Sequence, residues 1–247
     1  MPTAVVTGSA SGIGAKVKDR LVADGFEVVG VDLKDATVSA DLSTKDGRDA
    51  AVAAILEHTG GAIDRLVLAA GLGGHIADGA LVARVNYFGA VELLDALKDA
   101  LVKTQGRCVV ISSNSSQMNM DPNNPISTAL LEGDEEAAIE TVGDAHGAMV
   151  YAASKNAVAR ALRRRAAEWG GAGVTLNAIA PGMTETPMFR GAADHPEIGK
   201  SVDMIPIPKK RVASADEIAG VIQFMLSDAA EYMQGSVIYV DGGTDAQ

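Results

Sequence analysis

The sequence predicts one α/β domain over residues 1–247, built on a doubly wound parallel sheet. Two observations lead to this expectation. Short runs rich in β-branched residues alternate with helical stretches along the chain, which is typical of βαβ units. A glycine-rich turn joins the first strand to the first helix, as in nucleotide-binding sheets of the Rossmann type. The chain is long enough for one large core, and it contains no low-complexity linker.

The strands and helices follow in regular order. Buried runs predict strands at 4–7, 27–32, 66–70, 107–112, 174–180 and 236–240. Helices are predicted from the glycine turn to about residue 24, over about 80–102, and from 150 to about 169. Ser43 is expected to cap a helix, with Asp46 three positions on, and Ser214 with Glu217 forms a capping box for a late helix.

The composition excludes several classes of function. A net charge of −11 and a pI near 4.8 argue against nucleic acid and against an anionic membrane surface. The first residues lack the basic region of a signal peptide, and no run approaches the ~18 apolar residues of a membrane span. The single cysteine, Cys108, lies in a buried strand and fits a reducing cytoplasm. The four histidines are scattered without metal-ligand spacing, so we expect no metal, and His75 is the one histidine worth following.

The glycine turn predicts a phosphate site. Gly8, Gly12 and Gly14 lie between a strand and a helix, where a close backbone and a free helix N-terminus favour a pyrophosphate. Asp32 ends the second strand, where an acid would meet the adenosine ribose and repel the extra phosphate of NADP. We therefore expect NAD as the cofactor. The alternative is that Asp32 merely ends a strand, and Lys34 is interpreted as solvated.

A proton-transfer site is predicted further along the chain. Tyr151 and Lys155 lie four apart on a helix, so they share a face, and we expect the ammonium to lower the pKa of the phenol. Ser112 and Ser113 end the preceding strand, at the rim where open parallel sheets bind ligands. Asn86 lies inside a predicted helix, where asparagine is disfavoured. It is either a site residue or a buried amide with satisfied hydrogen bonds.

These pieces, in this order, resemble the short-chain dehydrogenase/reductase family over essentially the whole chain. The resemblance assigns the catalytic residues of that family to Asn86, Ser113, Tyr151 and Lys155. It implies the following cofactor-binding residues besides Tyr151 and Lys155: Gly8, Ser11, Gly12, Ile13, Gly14, Asp32, Asp41, Leu42, Ala70, Gly71, Pro181, Gly182, Met183, Thr184 and Thr186. The sequence departs from the family at Leu68-Ala69-Ala70-Gly71, which keeps the glycine of the family's motif but lacks its two asparagines.

Two segments depart from the regular alternation. Residues 114–147 separate Ser113 from Tyr151, and we expect them to be an insertion that is partly helical over 127–141 and lies on the surface. The insertion carries seven acids and no lysine or arginine: Asp121, Glu132, Asp134, Glu135, Glu136, Glu140 and Asp144. A similar insertion marks the bacterial hydroxysteroid dehydrogenase/carbonyl reductase branch of the family. Residues 187–209 are expected to form a substrate lid with apolar side chains, although ordinary packing also explains them: Met188, Phe189, Ile198, Met204, Ile205 and Ile207.

The resemblance implies an NAD(H)-dependent enzyme that moves a hydride between the cofactor and an alcohol or ketone, with a hydroxysteroid or another apolar carbonyl as substrate. One alternative is a 3-oxoacyl-carrier reductase of the same fold, which Asp32 disfavours because such enzymes use NADPH. Another is a non-catalytic NAD-sensing protein, which would be expected to lose Tyr151 or Lys155. The acidic insertion lies in sequence between two helices through which the family commonly associates. We therefore expect a homodimer formed through another face, with the common tetramer as the alternative.

Overall fold

The fold was analysed in a computed structural model that describes residues 1–117, 121 and 123–246. Seven parallel strands form the main sheet, and two short strands form a separate parallel pair. The strands are β1 (Thr3–Thr7), β2 (Glu27–Asp32), β3 (Val38–Ser39), β4 (Arg65–Leu68), β5 (Arg107–Ile111), β6 (Thr175–Pro181), β7 (Thr184–Glu185), β8 (Ala213–Ser214) and β9 (Val237–Val240). The main sheet has the order β3-β2-β1-β4-β5-β6-β9, and β7 pairs with β8.

Helices cover both faces of the main sheet. They are α1 (Gly12–Ala23), α2 (Lys45–His58), α3 (Gly79–Ala83), α4 (Gly89–Ala96), α5 (Lys98–Val102), α6 (Pro125–Glu132), α7 (Glu135–Val142), α8 (Gly147–Gly171), α9 (Pro187–Ala193), α10 (Ile198–Asp203) and α11 (Ala215–Met225). Ile55 of α2, Leu93 of α4 and Leu162 of α8 are buried in the core on one face. Val17 of α1 and Ile222 of α11 are buried in the core on the other. The predicted doubly wound α/β fold is confirmed.

The sheet topology determines where a ligand can bind. Chain order runs outward in opposite directions from the neighbouring strands β1 and β4. The connections that leave these two strands diverge to opposite sides, which opens a crevice at the carboxyl ends of the strands. The glycine turn after β1, the loop after β4 and the serines after β5 all lie at this edge.

The predicted helix over 80–102 is in fact broken. It begins as α3, continues as a π-helical turn over Arg84–Phe88, and ends as α4 and α5. Asn86 lies in the middle of the π turn. A π turn interrupts the regular hydrogen-bond ladder, and such turns are frequent at functional sites.

Two smaller expectations also need correction. Thr44, not Ser43, caps α2, because its hydroxyl accepts from the Gly47 N–H at 3.1 Å. The insertion is helical as predicted, as α6 and α7, but it does not lie only on the surface. Ile126, Leu130 and Val142 are buried in the core, because these helices pack their apolar faces against α8 and α3. Residues 118–120 and 122 of the predicted insertion lie outside the described residues.

Two further expectations, on a helix cap and on the single cysteine, agree with the structure. The capping box of Ser214 and Glu217 is present at the start of α11. Cys108 is buried, and burial raises the pKa of its thiol. Over the part of the chain that is described, no helix has both the length and the apolar character that a membrane crossing requires.

Candidate functional site

A cleft of about 730 Å³ opens at the carboxyl edge of the main sheet. Within the described chain, every predicted site residue except Asn86 lines this cleft. The glycine turn and Asp32 lie in its wall together with Ser113 and Tyr151, although these residues are far apart in sequence. The remaining wall is largely apolar and includes Val85, Ala148, Phe189 and other side chains of the loops around the sheet.

Two positions of the turn after β1 require glycine, because a Cβ atom there would clash with neighbouring backbone atoms. A Cβ on Gly8, whose φ is +68°, would lie 2.8 Å from the amide nitrogen of Ala70. A Cβ on Gly14 would overlap the carbonyl oxygen of Gly8. Ser11 precedes α1 as its N-cap, and its side chain makes no capping hydrogen bond. The first N–H groups of α1 therefore remain available to an anion in the cleft.

Backbone amides hold Asp32 at the edge of the cleft. Its carboxylate accepts from the N–H of Ala10 at 3.0 Å and from the N–H of Leu33 at 2.8 Å. Asp41 lies nearby in the same wall, and hydrogen bonds from Ser43 lower the pKa of its carboxyl group. The turn and the two carboxylates form a polar end of the cleft with negative charge at its outer edge.

Thr7 holds the loop after β4 by side-chain hydrogen bonds. Its hydroxyl accepts from the N–H groups of Ala69 and Ala70 at 3.0 and 3.1 Å. The loop thus stays close to the glycine turn although Ala69 and Ala70 carry no polar side chain. The two asparagines of the family motif are absent here, and a side chain of the neighbouring strand holds the loop backbone in place.

The segment after β6 forms the opposite wall. A Cβ on Gly182 would lie 2.7 Å from the Cα of Asp241, so the glycine allows the segment after β9 to pack against it. Thr186 caps α9 by accepting from the N–H of Phe189 at 3.1 Å, and this cap starts the predicted lid. Four of the six apolar lid residues line the cleft, namely Met188, Phe189, Ile198 and Ile205. Met204 is instead 74% exposed, and Ile207 packs near Gly242.

Tyr151 and Ser113 form the centre of the catalytic end. The Ser113 oxygen accepts from the N–H of Ser115 at 3.2 Å and from the Ser115 hydroxyl at 2.9 Å, so its own O–H acts as a donor toward Tyr151. Burial raises the pKa of Tyr151, and hydrogen bonding to Ser113 opposes this shift. The predicted lowering of this pKa is therefore wrong in direction, because desolvation of the phenolate dominates.

Lys155 lies one turn along α8 from Tyr151 and is almost completely buried. Its ammonium donates to the carbonyl of Ile111 at 2.9 Å, and burial lowers its pKa to about 8. The Ser112 hydroxyl donates to the carbonyl of Lys155 at 2.9 Å, so this serine supports α8. The Lys155 ammonium is consequently poised to lose its charge just above neutral pH.

Asn86 lies behind the wall of the cleft. Its side chain accepts from the N–H of Leu72 at 2.7 Å and donates to the carbonyl of the same residue at 3.0 Å. A further contact of 3.4 Å joins its amide to the hydroxyl of Ser154. These contacts satisfy the amide and hold the loop after β4 against α8, as the buried-amide alternative expects, and the catalytic role of Asn86 stays a prediction.

Sequence reasoning did not assign several residues that line the cleft. Leu33 and Ser115 line the cleft, and each lies within two residues of a predicted site residue in sequence. This closeness in sequence was the one signal that could have identified them. The loop of Leu72, Gly73 and Gly74 carried no signal of its own, because its position depends on packing against α8.

Comparison with known proteins supports the grouping of these residues. A family model described as short chain dehydrogenase matches residues 2–129, and one described as enoyl-(acyl carrier protein) reductase matches residues 137–245. The chain is 46% identical over 250 residues to the 3-alpha-hydroxysteroid dehydrogenase/carbonyl reductase of Comamonas testosteroni, covering 100% of this chain and 97% of that protein. It is 32% identical to the 3-oxoacyl-[acyl-carrier-protein] reductase MabA of Mycobacterium tuberculosis, covering 97% of this chain and 91% of that protein.

A solved structure shares both the fold and much of the sequence. The 3-alpha-hydroxysteroid dehydrogenase from Pseudomonas sp. B-0831, complexed with NADH, superposes with a TM-score of 0.96 at 41% identity, covering 99% of this chain and 97% of that one. Family model, curated relatives and solved structure agree over nearly the whole length. The chain therefore belongs to the short-chain dehydrogenase family of oxidoreductases.

Proposed function

We propose that this protein is an NAD(H)-dependent oxidoreductase that interconverts a hydroxyl group and a ketone on an apolar cyclic substrate, with 3α-hydroxysteroids as the leading class. One observation carries the proposal. The hydroxyls of Tyr151 and Ser113 and the carboxylate of Asp32 line one cleft whose wall is otherwise largely apolar. The names of the Comamonas and Pseudomonas relatives support the substrate class.

The residues of the polar end fit a dinucleotide. Gly8 and Gly14 leave a cradle that Cβ atoms would fill, and the N-terminus of α1 offers N–H groups to a pyrophosphate. The carboxylate of Asp32 is suited to accept hydrogen bonds from a ribose and to repel a 2′-phosphate, which favours NAD over NADP. A nicotinamide dinucleotide held by these residues would supply hydride chemistry at the carbonyl carbon of the substrate.

The chain's own residues handle the proton. Because burial raises the pKa of Tyr151, its phenol is protonated at neutral pH and donates to the carbonyl oxygen during reduction. The O–H of Ser113 donates a second hydrogen bond to the same oxygen and orients it. The ammonium of Lys155 stabilises the negative charge that develops on the phenol as its proton leaves. Asn86 holds the loop that forms the neighbouring wall.

A second candidate is the reduction of a 3-oxoacyl group on a carrier. The likeness to the mycobacterial reductase and the description of the second family model favour it. Asp32 and the apolar lid argue against it, because such a substrate is flexible and charged and its reductant is NADPH. For the same protein we propose cytoplasmic residence, from its single buried thiol, and a homodimeric assembly.

The experiment is a turnover assay with a matched pair of variants. Wild-type protein is assayed with NADH and NADPH against steroid ketones, small cyclic ketones and a 3-oxoacyl thioester. We expect reduction of the steroid or cyclic ketones with NADH.

Tyr151→Phe should lose about 10²–10⁴-fold in kcat and still bind NADH, because only the transferred proton is removed. Tyr232→Phe, at a fully exposed tyrosine, is the control and should behave as wild type. Retention of half of the kcat in Tyr151→Phe would contradict the proposed role, and preferred turnover of the thioester with NADPH would favour the second candidate.

A further inference from the structure

One titratable side chain in the cleft has no task in the mechanism above. The titratable side chains lining the cleft, over the described residues, are Asp32, Asp41, His75, Tyr151 and Lys155. The two carboxylates lie at the nucleotide end, and the tyrosine and lysine form the proton-transfer pair. His75 remains, and it lies in the loop after β4, on the apolar side of the cleft.

The His75 ring is held between the loop and the lid. A Cβ on Gly73 would lie 2.7 Å from its Nδ1, and a Cβ on Gly191 of α9 would lie 2.7 Å from its Nε2. Both neighbours are glycines, and only their missing side chains leave space for an imidazole. The ring therefore touches the lid helix on one side and its own loop on the other.

The same loop packs tightly on the catalytic helix. A Cβ on Gly74 would lie 2.9 Å from the Cα of Ala148 and 3.5 Å from the Cβ of Tyr151. The Leu72 backbone is fixed by two hydrogen bonds to Asn86. The position of His75 relative to Tyr151 is thus set by backbone packing and does not depend on the conformation of a long side chain.

The imidazole has unused hydrogen-bonding capacity. Its Nδ1 is buried and has no hydrogen-bond partner within the described chain. This nitrogen is buried against its own loop, so a ligand in the cleft would bond Nε2, which lies on the side of α9 and makes no hydrogen bond among the described residues. The side chain of Met188 lies beside the same loop, since a Cβ on Gly73 would lie 2.9 Å from its Cγ. Burial and the neighbouring His195 lower the pKa of His75, so the ring is neutral at neutral pH, with one donor and one acceptor nitrogen.

We infer that His75 is a specificity-determining residue whose imidazole hydrogen-bonds a second, uncharged oxygen of the substrate. This inference rests on the proposed function and narrows its substrate class. Tyr151 and Ser113 engage the reacting oxygen, whereas the neighbours of His75 are Gly73, Met188 and Gly191. The preferred substrates are then rigid apolar ketones or alcohols that carry another hydroxyl or carbonyl group away from the reacting carbon.

The test compares two steroids in three variants. Androstanedione carries a second ketone on its far ring, and androstanone is the same molecule without that ketone. His75→Leu should lower kcat/KM for androstanedione about 10-fold, mainly through KM, and leave androstanone within about 2-fold, because one hydrogen bond is lost only with the former. His75→Gln keeps a donor and an acceptor and should restore most of the preference. His58→Leu, at the exposed end of α2, is the control for loss of a histidine and should change neither.

Two outcomes would overturn the inference. One is an equal loss with both steroids in His75→Leu, which would assign the residue to packing alone. The other is unchanged kinetics with both. If wild-type protein reduces neither steroid, the proposed function fails, and calorimetric binding of the two steroids to wild type and His75→Leu then decides. Weaker binding of androstanedione alone supports His75, and equal changes for both steroids count against it.

Discussion

The side chain of Lys155 is buried, and this burial affects both the stability and the activity of the protein. It is 4% exposed, its ammonium donates to one carbonyl, and its pKa falls to about 8 from the ordinary 10.5. The unfolded chain therefore holds this proton up to about pH 10.5, and the folded protein only up to about pH 8. Stability should rise with pH between these two values, because the unfolded state binds more protons there.

Lys155→Met should make the protein more stable and less active at the same time. At pH 7 we expect a gain of about 3 kcal/mol in unfolding free energy, because one pKa unit corresponds to about 1.4 kcal/mol, with kcat lower by about 100-fold. The gain should shrink from pH 8 to 10.5, where wild type no longer carries the buried charge. Urea unfolding at several pH values, with Lys16→Met at an exposed site as the control, measures it. A pH-independent difference would mean that the buried charge is not its cause.

Asp32 gives a second test at the scale of one residue. Asp32→Ala should weaken NAD binding and relieve the exclusion of NADP, because it removes the carboxylate that disfavours a phosphate. We expect the ratio of kcat/KM for NAD over NADP to fall by at least about 10-fold. Glu27→Ala, at the exposed start of the same strand, is the control. A wild-type protein that already prefers NADP would contradict the assignment of Asp32.

At this scale the sequence indicated which residues would meet, but not how their pKa values would change. Local patterns predicted that these residues line the cleft. These patterns are the four-residue spacing of Tyr151 and Lys155 and the position of Asp32 at a strand end. The rise in the pKa of Tyr151 was not predicted, because it depends on burial by distant segments. The hydrogen bonds of Thr7 to the loop after β4 span more than 60 residues of sequence and follow from the parallel pairing of β1 and β4.

At the scale of elements, ion pairs between side chains connect the insertion to the rest of the domain. Arg48 of α2 is 1% exposed and bonds Glu92 of α4 at 2.7 Å, and it also bonds Glu135 of α7. Glu135 accepts in addition from Arg84 at 3.1 Å. The seven acids of the insertion were expected to be uncompensated, and for Glu135 this is wrong. The compensating arginines lie 51 and 87 residues away in sequence, so a count of charges within the segment could not reveal them.

Glu135→Gln should destabilise the protein by roughly 2 kcal/mol. A buried arginine that loses one of its two carboxylates is left partly unpaired, although Glu92 remains to limit the cost. Glu136→Gln, on the exposed side of the same helix, should change stability by less than about 0.5 kcal/mol. Urea denaturation midpoints at constant slope compare the two variants. Equal stabilities would mean that the cluster does not hold the insertion.

The boundaries of helices and strands were predictable where a local sequence signal exists. They were not predictable where tertiary packing determines the local conformation. The capping box of Ser214 and Glu217 is a local signal and is present. The π turn around Asn86 was missed, because apolar periodicity does not distinguish a π turn from an α-helical one over a single turn. The side chain of Asn86 bonds the loop after β4, and this tertiary contact accompanies the interrupted ladder.

At the scale of the whole molecule, the parallel sheet and its switch point followed from the order of elements along the chain, whereas the surface left for assembly depends on the insertion. Helices α6 and α7 pack against α8 and α3, and α8 is one of the two helices through which the family resemblance implies association. On the other side of the molecule, β9 ends the main sheet. Tyr232, a few residues before β9 in sequence, is fully exposed, and Phe224 of α11 is half exposed beside Phe26 and Arg65. An open sheet edge beside exposed aromatic side chains is typical of an interaction surface.

We therefore expect a homodimer through the face formed by β9 and α11, and no tetramer. Tyr232→Asp should shift the dimer to a monomer, because it places a charge beside the β9 edge. Ala167→Arg, at an exposed position of α8, should leave the dimer intact, because α8 does not take part. Light scattering after size-exclusion chromatography at moderate salt measures the mass of each variant, with salt present to screen repulsion between the remaining acids of the insertion. A stable wild-type tetramer that Ala167→Arg dissociates would show that the insertion leaves the helical face free for association.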